Sequence, residues 1–273
     1  MKIQFTELGY QKEAIESIVQ VFEGQEIRQS NFTITDNDRQ GKLLSEYGIG
    51  NRLTVSLEKV LKNVQQIQVA NGAPLSDQLS LPYPQFNIDM ETGTGKTFVY
   101  LKSIIELNRR YGFSKFVIVV PSVAIREGVM KTYEMTKDIF RPLIHDKSYR
   151  VFQYDSSKLN EVKQFAQSDG IEVMIMNIQA FNSKVEGRKG AKNIIYRDDI
   201  EEMQGIRPMD LVAQTNPLVI IDEPQSVDNT KNAQEALQEL NPLAAFRFSA
   251  THKNKSYPLL YRLGPVEAYE QEL

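Results

Sequence analysis

The sequence predicts an α/β fold: one three-layer domain with a mainly parallel central sheet, preceded by a helix and a helical insertion. Three observations predict it. Continuous apolar runs such as Phe116-Val117-Ile118-Val119-Val120 and Leu218-Val219-Ile220-Ile221 are the mark of strands buried on both faces. These runs alternate with stretches of helical periodicity, the pattern of a parallel sheet covered by helices on both sides. Between the first strand and its helix stands a run rich in glycine and threonine, Met90-Glu91-Thr92-Gly93-Thr94-Gly95-Lys96-Thr97.

Along the chain, residues 10–22 place Ala14, Ile15, Ile18, Val19 and Phe22 on one face at helical spacing, so an amphipathic helix begins near Tyr10. Residues 24–51 are polar and dotted with glycine, with room for one short strand around Phe32-Thr33-Ile34. From Leu53 the apolar positions Leu57, Val60, Leu61, Val64 and Ile67 again recur as on a helix. Asn71-Gly72-Ala73-Pro74 ends it with a pair that tolerates left-handed backbone, followed by a proline. Strands are then expected at 86–90, 116–120, 149–154, 171–176, 218–221 and 245–248. Helices are expected near 96–111, 123–140, 158–167 and 230–240. The organisation is thus an N-terminal helix (1–23), a peripheral insertion (24–85), the main α/β domain (86–260) and a terminal link (261–273). The insertion is expected to add no strand to the middle of the sheet and to be most mobile around 35–50. No internal repeat or low-complexity tract interrupts this order.

Composition narrows the function classes. With 273 residues, 41% hydrophobic and 25% charged, the chain can bury a proper core. A net charge of −3 argues against coating nucleic acid through bulk charge, while leaving room for contact through one local surface. No cysteine is present, which excludes a disulfide framework and a cysteine-rich zinc site. The two histidines, His145 and His252, lack metal-ligand spacing. Met1-Lys2-Ile3-Gln4-Phe5 opens no signal-peptide-like apolar stretch, and the longest apolar run, 116–120, is too short to span a bilayer. The expectation is a soluble, cytoplasmic protein.

The run Thr92-Gly93-Thr94-Gly95-Lys96-Thr97 has the chemistry of a phosphate-binding loop. Glycines let backbone N–H groups curl around phosphates, and the helix that follows points its N-terminus at the negative charge. Lys96 would reach the β- and γ-phosphates of ATP, and the Thr97 hydroxyl would ligate Mg²⁺. Met90 replaces the first glycine of the usual pattern, but every group the phosphates need is retained. The second acidic element, Asp222-Glu223-Pro224-Gln225, closes an apolar strand, where α/β sheets place catalytic groups. Asp222 would hold Mg²⁺ opposite Thr97, and Glu223 would orient or deprotonate the attacking water.

Glu-Thr-Gly-Thr-Gly-Lys-Thr, Asp-Glu-Pro-Gln and Ser249-Ala250-Thr251 together resemble motifs I, II and III of superfamily 2 helicases. Tyr10-Gln11 followed by Ala14 resembles the glutamine motif that reads adenine in these motors. More narrowly, the loop, the run from Phe116 to Val129, Asp-Glu-Pro-Gln and the run from Phe248 to Lys253 are similar to the restriction (Res) subunit of type III restriction enzymes. The resemblance runs from Gln11 to Lys253. It implies a RecA-like P-loop motor domain that uses ATP and Mg²⁺, acts on double-stranded DNA and works with a modification methyltransferase (Mod) subunit. It also implies a second motor domain and a nuclease domain that this sequence does not contain, so the chain is expected to be the first half of a motor with little ATPase activity alone.

Within that resemblance, Pro121, Ser122 and Arg126 match positions that grip the DNA backbone, and Asn177, Gln179 and Phe181 form a second candidate edge. Arg126 could equally pair with an acid on its own helix, and the alternative for Gln11 is a solvent-facing residue. Ser249 and Thr251, with Ala250 between them, are expected to link phosphate state to DNA grip. Lys184, Arg188, Lys189, Lys192 and Arg197 could face DNA, or could form a solvent-exposed loop. Two other readings stand beside the restriction motor: another superfamily 2 DNA helicase, and a P-loop nucleotide-binding module serving protein assembly.

Overall fold

The computed structural model describes residues 8–27, 31–34, 48–144, 147–178, 193–203, 205–251, 254 and 256–264, with 32–34 described in backbone only. Helix α1 (Gly9–Val19) runs into a 3₁₀ turn (Gln20–Phe22), followed by strands β1 (Asn31–Ile34) and β2 (Gly48–Asn51) and helix α2 (Leu57–Ala70). Alternating elements follow: β3 (Gln85–Met90), α3 (Lys96–Tyr111), β4 (Lys115–Val120), α4 (Val123–Phe140), β5 (Tyr149–Gln153), α5 (Leu159–Gln167) and β6 (Ile171–Asn177). The last are α6 (Pro208–Gln214), β7 (Leu218–Asp222), α7 (Pro224–Val227), α8 (Lys231–Glu239), β8 (Ala244–Ser249) and β9 (Leu259–Leu263).

Seven strands form one sheet in the order β5-β6-β4-β7-β8-β3-β9, and every pairing is parallel. The pleat of β4 shows how the layers arise. Phe116, Ile118 and Val120 join the core beneath α1 to α4, while Val117 and Val119 join the core beneath α5, α6 and α8. Both faces are apolar because both are covered, which is why these strands read as unbroken hydrophobic runs. Helices α3 and α4 occupy the residues their periodicity predicts. Gly112, at φ +79°, closes α3 in the left-handed conformation that glycine adopts without penalty.

Several short elements escape the periodicity, strand β2 and helix α7 among them. Helix α6 is seven residues long, too short for a repeating stripe to show. Strand β9 pairs with β3 at the sheet edge, and its register shifts between Asn87 and Ile88. It crosses the boundary expected at residue 260, so the sheet extends into the segment read as a link.

Apart from Gln85, which opens β3, the segment 24–85 stands outside the central sheet in topology: β1 and β2 form a separate antiparallel pair. In packing it is not peripheral. Val60, Val64 and Ile67 of α2 enter the same core as α1, and Asn51 is wholly buried against the start of β4. The Asn51 Nδ2 group donates to the carbonyls of Lys115 at 2.7 Å and Asn216 at 3.2 Å. Its Oδ1 accepts from the N–H groups of Ser114 at 2.9 Å and Lys115 at 3.2 Å. The expected mobility around 35–50 falls mostly on residues 35–47, outside the described residues.

Truncating Asn51 would leave these backbone groups buried without partners, each costing roughly 1–3 kcal/mol. Asn51→Ala is therefore expected to destabilise the domain by about 2–4 kcal/mol in urea unfolding; an unchanged midpoint would show that the insertion does not tether β4.

Candidate functional site

Strand β3 ends at Met90, and the chain turns through Gly93 (φ +88°) and Gly95 (φ +86°) before Lys96 opens α3. Both glycines sit where a side chain is strained, so the loop needs them for its path. Two residues of α1 brace it. The Tyr10 hydroxyl donates to the Thr94 carbonyl at 2.8 Å, and Gln11 Nε2 donates to the same carbonyl at 3.3 Å. Gln11 Oε1 accepts from the N–H of Leu8 at 3.2 Å. A Cβ on Gly95 would lie 2.7 Å from Gln11 Nε2. Gln11 is thus buried against the loop, which overturns the solvent-facing alternative. Both ends of its amide are engaged within the protein.

Asp222 and Glu223 arrive from β7, between β4 and β8. Glu223 has a left-handed backbone, φ 52° and ψ 61°. That conformation costs a non-glycine residue on the order of 1–2 kcal/mol, and it is pinned by the Glu223 N–H donating to the Phe248 carbonyl at 2.9 Å. The turn aims the side chain at the loop, where Lys96 Nζ lies 2.6 Å from Glu223 Oε1. Gln225 Nε2 donates to Glu223 Oε2 at 2.5 Å, and Ser249 Oγ donates to Gln225 Oε1 at 2.9 Å. The Thr251 N–H in turn donates to Ser249 Oγ at 3.1 Å. One chain of polar contacts therefore runs from Lys96 to the turn after β8.

The two acids sit in opposite electrostatic settings. Burial pushes the Asp222 carboxyl up to about 6, against the pull of the Lys96 charge. Burial also pushes Glu223 up, but the hydrogen bonds from Lys96 and Gln225 and the Lys96 charge outweigh it and hold the carboxyl below its ordinary value. Asp222 Oδ1 is buried without a hydrogen-bond partner. Asp222 Oδ2 lies 3.3 Å from the Tyr100 hydroxyl, which is also 3.3 Å from Thr97 Oγ1.

A groove of about 730 Å³ opens at the carboxyl ends of β5 and β6. Arg126 of α4, Asn177 ending β6, and Tyr154, Asp155, Ser156 and Lys158 after β5 line it. Arg126 Nε, Asn177 Oδ1 and the Tyr154 hydroxyl are buried there without protein partners. Arg126 meets an acid of its own helix, Glu127, at 3.5 Å, the pairing the sequence left open as the alternative to DNA contact. Ser122 caps α4 by accepting from the Ile125 N–H at 3.3 Å, and neither it nor Pro121 lines the groove. Ala250 and Thr251 border a separate cavity with Asn87 and Asp89. Gln179, Phe181, Lys184, Arg188, Lys189 and Lys192, with His145 and His252, lie outside the described residues. Arg197 is paired with Asp199 at 2.8 Å.

Tyr10 and Gln225 stood in the quoted motifs without a role of their own, and Tyr100, Tyr154 and Lys158 were not singled out in the sequence at all. Only Tyr100 carried a usable signal: it lies three positions after Thr97, on the same face of α3.

A wholly parallel sheet with a glycine-rich loop after β3 and paired acids after β7, both at its carboxyl edge, has the fold of a helicase-like, RecA-type P-loop domain. The family profile of the type III restriction enzyme, res subunit, matches residues 4–254, and the chain belongs to that family. It is 25% identical over 279 residues to the Res subunit of the type III restriction-modification enzyme EcoP15I of Escherichia coli, covering 97% of this chain and 28% of the relative. It is 32% identical over 187 residues to the StyLTI Res subunit of Salmonella typhimurium, covering 60% of this chain and 18% of the relative. The chain thus spans less than a third of these relatives' length. Among solved structures, it is similar to a nuclease-deletion mutant of the Type ISP restriction-modification enzyme LlaGI in complex with a DNA substrate mimic. That match has a TM-score of 0.44 and 12% identity, over 80% of this chain and 21% of the other. For the UvsW helicase of bacteriophage T4 the TM-score is 0.36 at 15% identity, over 60% of this chain and 46% of the other. Among the described residues, no helix is long and apolar enough to cross a membrane.

The position of Asp222 makes stability depend on pH. Its carboxyl is raised in the folded state, so its contribution is fully present below the unfolded value near 3.8 and is lost as pH rises through about 6. In nucleotide-free protein, Asp222→Asn is expected to raise the unfolding temperature relative to wild type at pH 8, with the advantage vanishing below pH 4. An advantage independent of pH would contradict the burial of a charged Asp222.

Proposed function

We propose that this domain is the first motor lobe of a type III restriction Res subunit, binding ATP with magnesium and coupling its hydrolysis to movement along duplex DNA before cleavage. The observation that supports it most is the convergence of Lys96, Asp222, Glu223 and Ser249, drawn from three strand ends, at one carboxyl edge beside a groove with unpartnered polar groups. A second motor lobe, a nuclease domain and the Mod subunit complete the assembly on this reading. The isolated domain would turn ATP over slowly, because charge stabilisation from the second lobe is missing.

The residues present fit magnesium. Thr97 and the bare, buried Asp222 Oδ1 offer the two hard oxygen ligands that suffice when phosphates and water fill the remaining positions. Among the described residues, no cluster of three or more histidine, cysteine or acidic side chains offers a self-sufficient metal cage. Bound there, magnesium would neutralise charge on the β- and γ-phosphates.

The chain's own residues perform the rest. An incoming phosphate draws Lys96 from Glu223, because both compete for the same ammonium group. Glu223, released and still ionised, is then free to orient the attacking water and take its proton. Gln225, which sits on the freed carboxylate, and Ser249, which holds Gln225, register that release. In the groove, Arg126, with Asn177 and Lys158, meets backbone phosphates, which positions DNA without reading its sequence.

DNA-stimulated ATP hydrolysis by the intact subunit separates these roles. Lys96→Ala is expected to lose nucleotide binding. Glu223→Gln should bind ATP at least as tightly as wild type and lose hydrolysis. Arg126→Ala should keep unstimulated hydrolysis but need more DNA for half-maximal stimulation, equally for unrelated sequences. Normal hydrolysis by Glu223→Gln would overturn the assignment of the base.

A further inference from the structure

Tyr100 is completely buried, and its ring packs edge-on against Phe248 of β8, with centroids 5.4 Å apart and planes at 71°. Its hydroxyl is the only polar group the side chain brings into this apolar setting. That hydroxyl lies between the two candidate magnesium ligands, 3.3 Å from Thr97 Oγ1 and 3.3 Å from Asp222 Oδ2.

We propose that Tyr100 is a positioning residue for the magnesium ligands, tying Thr97 and Asp222 together from the side away from the phosphates. The inference rests on the reading that these two side chains hold the metal. A phenol has one proton for two neighbours. Given to the carboxylate oxygen Oδ2, the better acceptor, it leaves the phenol oxygen to accept from the Thr97 hydroxyl. The Thr97 proton is thereby turned away from the phosphate side, which leaves lone pairs of Oγ1 for a cation. Asp222 is likewise held by Oδ2, with Oδ1 bare. Both contacts are longer than an optimal O–H···O bond; they set orientation more than they add stability. A phenylalanine would fill the same space and pack on Phe248, so the hydroxyl is the part that packing does not need.

The test is binding of a fluorescent ATP analogue to the intact subunit, titrated with magnesium chloride and repeated in EDTA. Groups that orient a metal ligand change metal affinity by roughly 10–100-fold when removed. Tyr100→Phe is therefore expected to raise the magnesium midpoint by about 10-fold, with nucleotide affinity in EDTA and unfolding temperature as in wild type. A wild-type midpoint in the variant would overturn the proposal. So would a loss of affinity equal with and without magnesium, which would make Tyr100 a packing residue of the phosphate loop. If wild-type protein binds the analogue with no dependence on magnesium, the metal reading itself fails, and this inference with it.

Discussion

The ion pair between Lys96 and Glu223, 2.6 Å long and largely shielded from water, is the contact on which the rest of the site depends. Its partners come from different parts of the sheet, the first residue of α3 and the turn after β7. Each is delivered by backbone that ordinary residues avoid: a left-handed glycine before Lys96, and a left-handed Glu223 itself. An ammonium group left alone in such a place would cost several kcal/mol. Nucleotide-free protein therefore needs a resident anion where the phosphate is proposed to go, and Glu223 supplies it. The exchange of one anion for another on Lys96 keeps the charge balance, so binding need not expose a bare buried cation at any stage.

Because Glu223 serves two partners, its state is felt at a distance. Gln225 donates to its second carboxylate oxygen, and Ser249 holds Gln225. Ser249 also receives the Thr251 N–H, so the turn after β8 is bonded to the same chain. On the proposed reading, a phosphate that takes Lys96 alters the hydrogen bonding of a turn that no phosphate touches. Short, directional bonds across a stiff sheet are suited to this, since β7 and β8 are adjacent and cannot slide independently.

Much of this was legible in the sequence, for physical reasons that can be named. The loop glycines, Lys96 and Thr97 are contiguous, and contiguous chemistry survives in one dimension. Helices α3 and α4 carry long stripes, and strands buried on both faces advertise themselves as apolar runs. What stayed hidden depends on contacts between distant residues. Asn51 is one polar residue in a polar segment until β4 closes over it. Gln11 shows in the sequence as a motif residue, but its bracing of the loop appears only when the loop folds onto its amide. Tyr154 and Lys158 acquire a role only when β5 lies beside β6, and β9 is a five-residue edge strand whose exposed Arg262 breaks the apolar run.

The exchange at Lys96 is open to direct observation. An experimental structure of the intact subunit with magnesium and a non-hydrolysable ATP analogue would locate Nζ. The account predicts that Lys96 Nζ contacts β- and γ-phosphate oxygens and has left Glu223 Oε1, with the Glu223 carboxylate facing the γ-phosphate. A nucleotide bound in the loop with the 2.6 Å pair intact would contradict it.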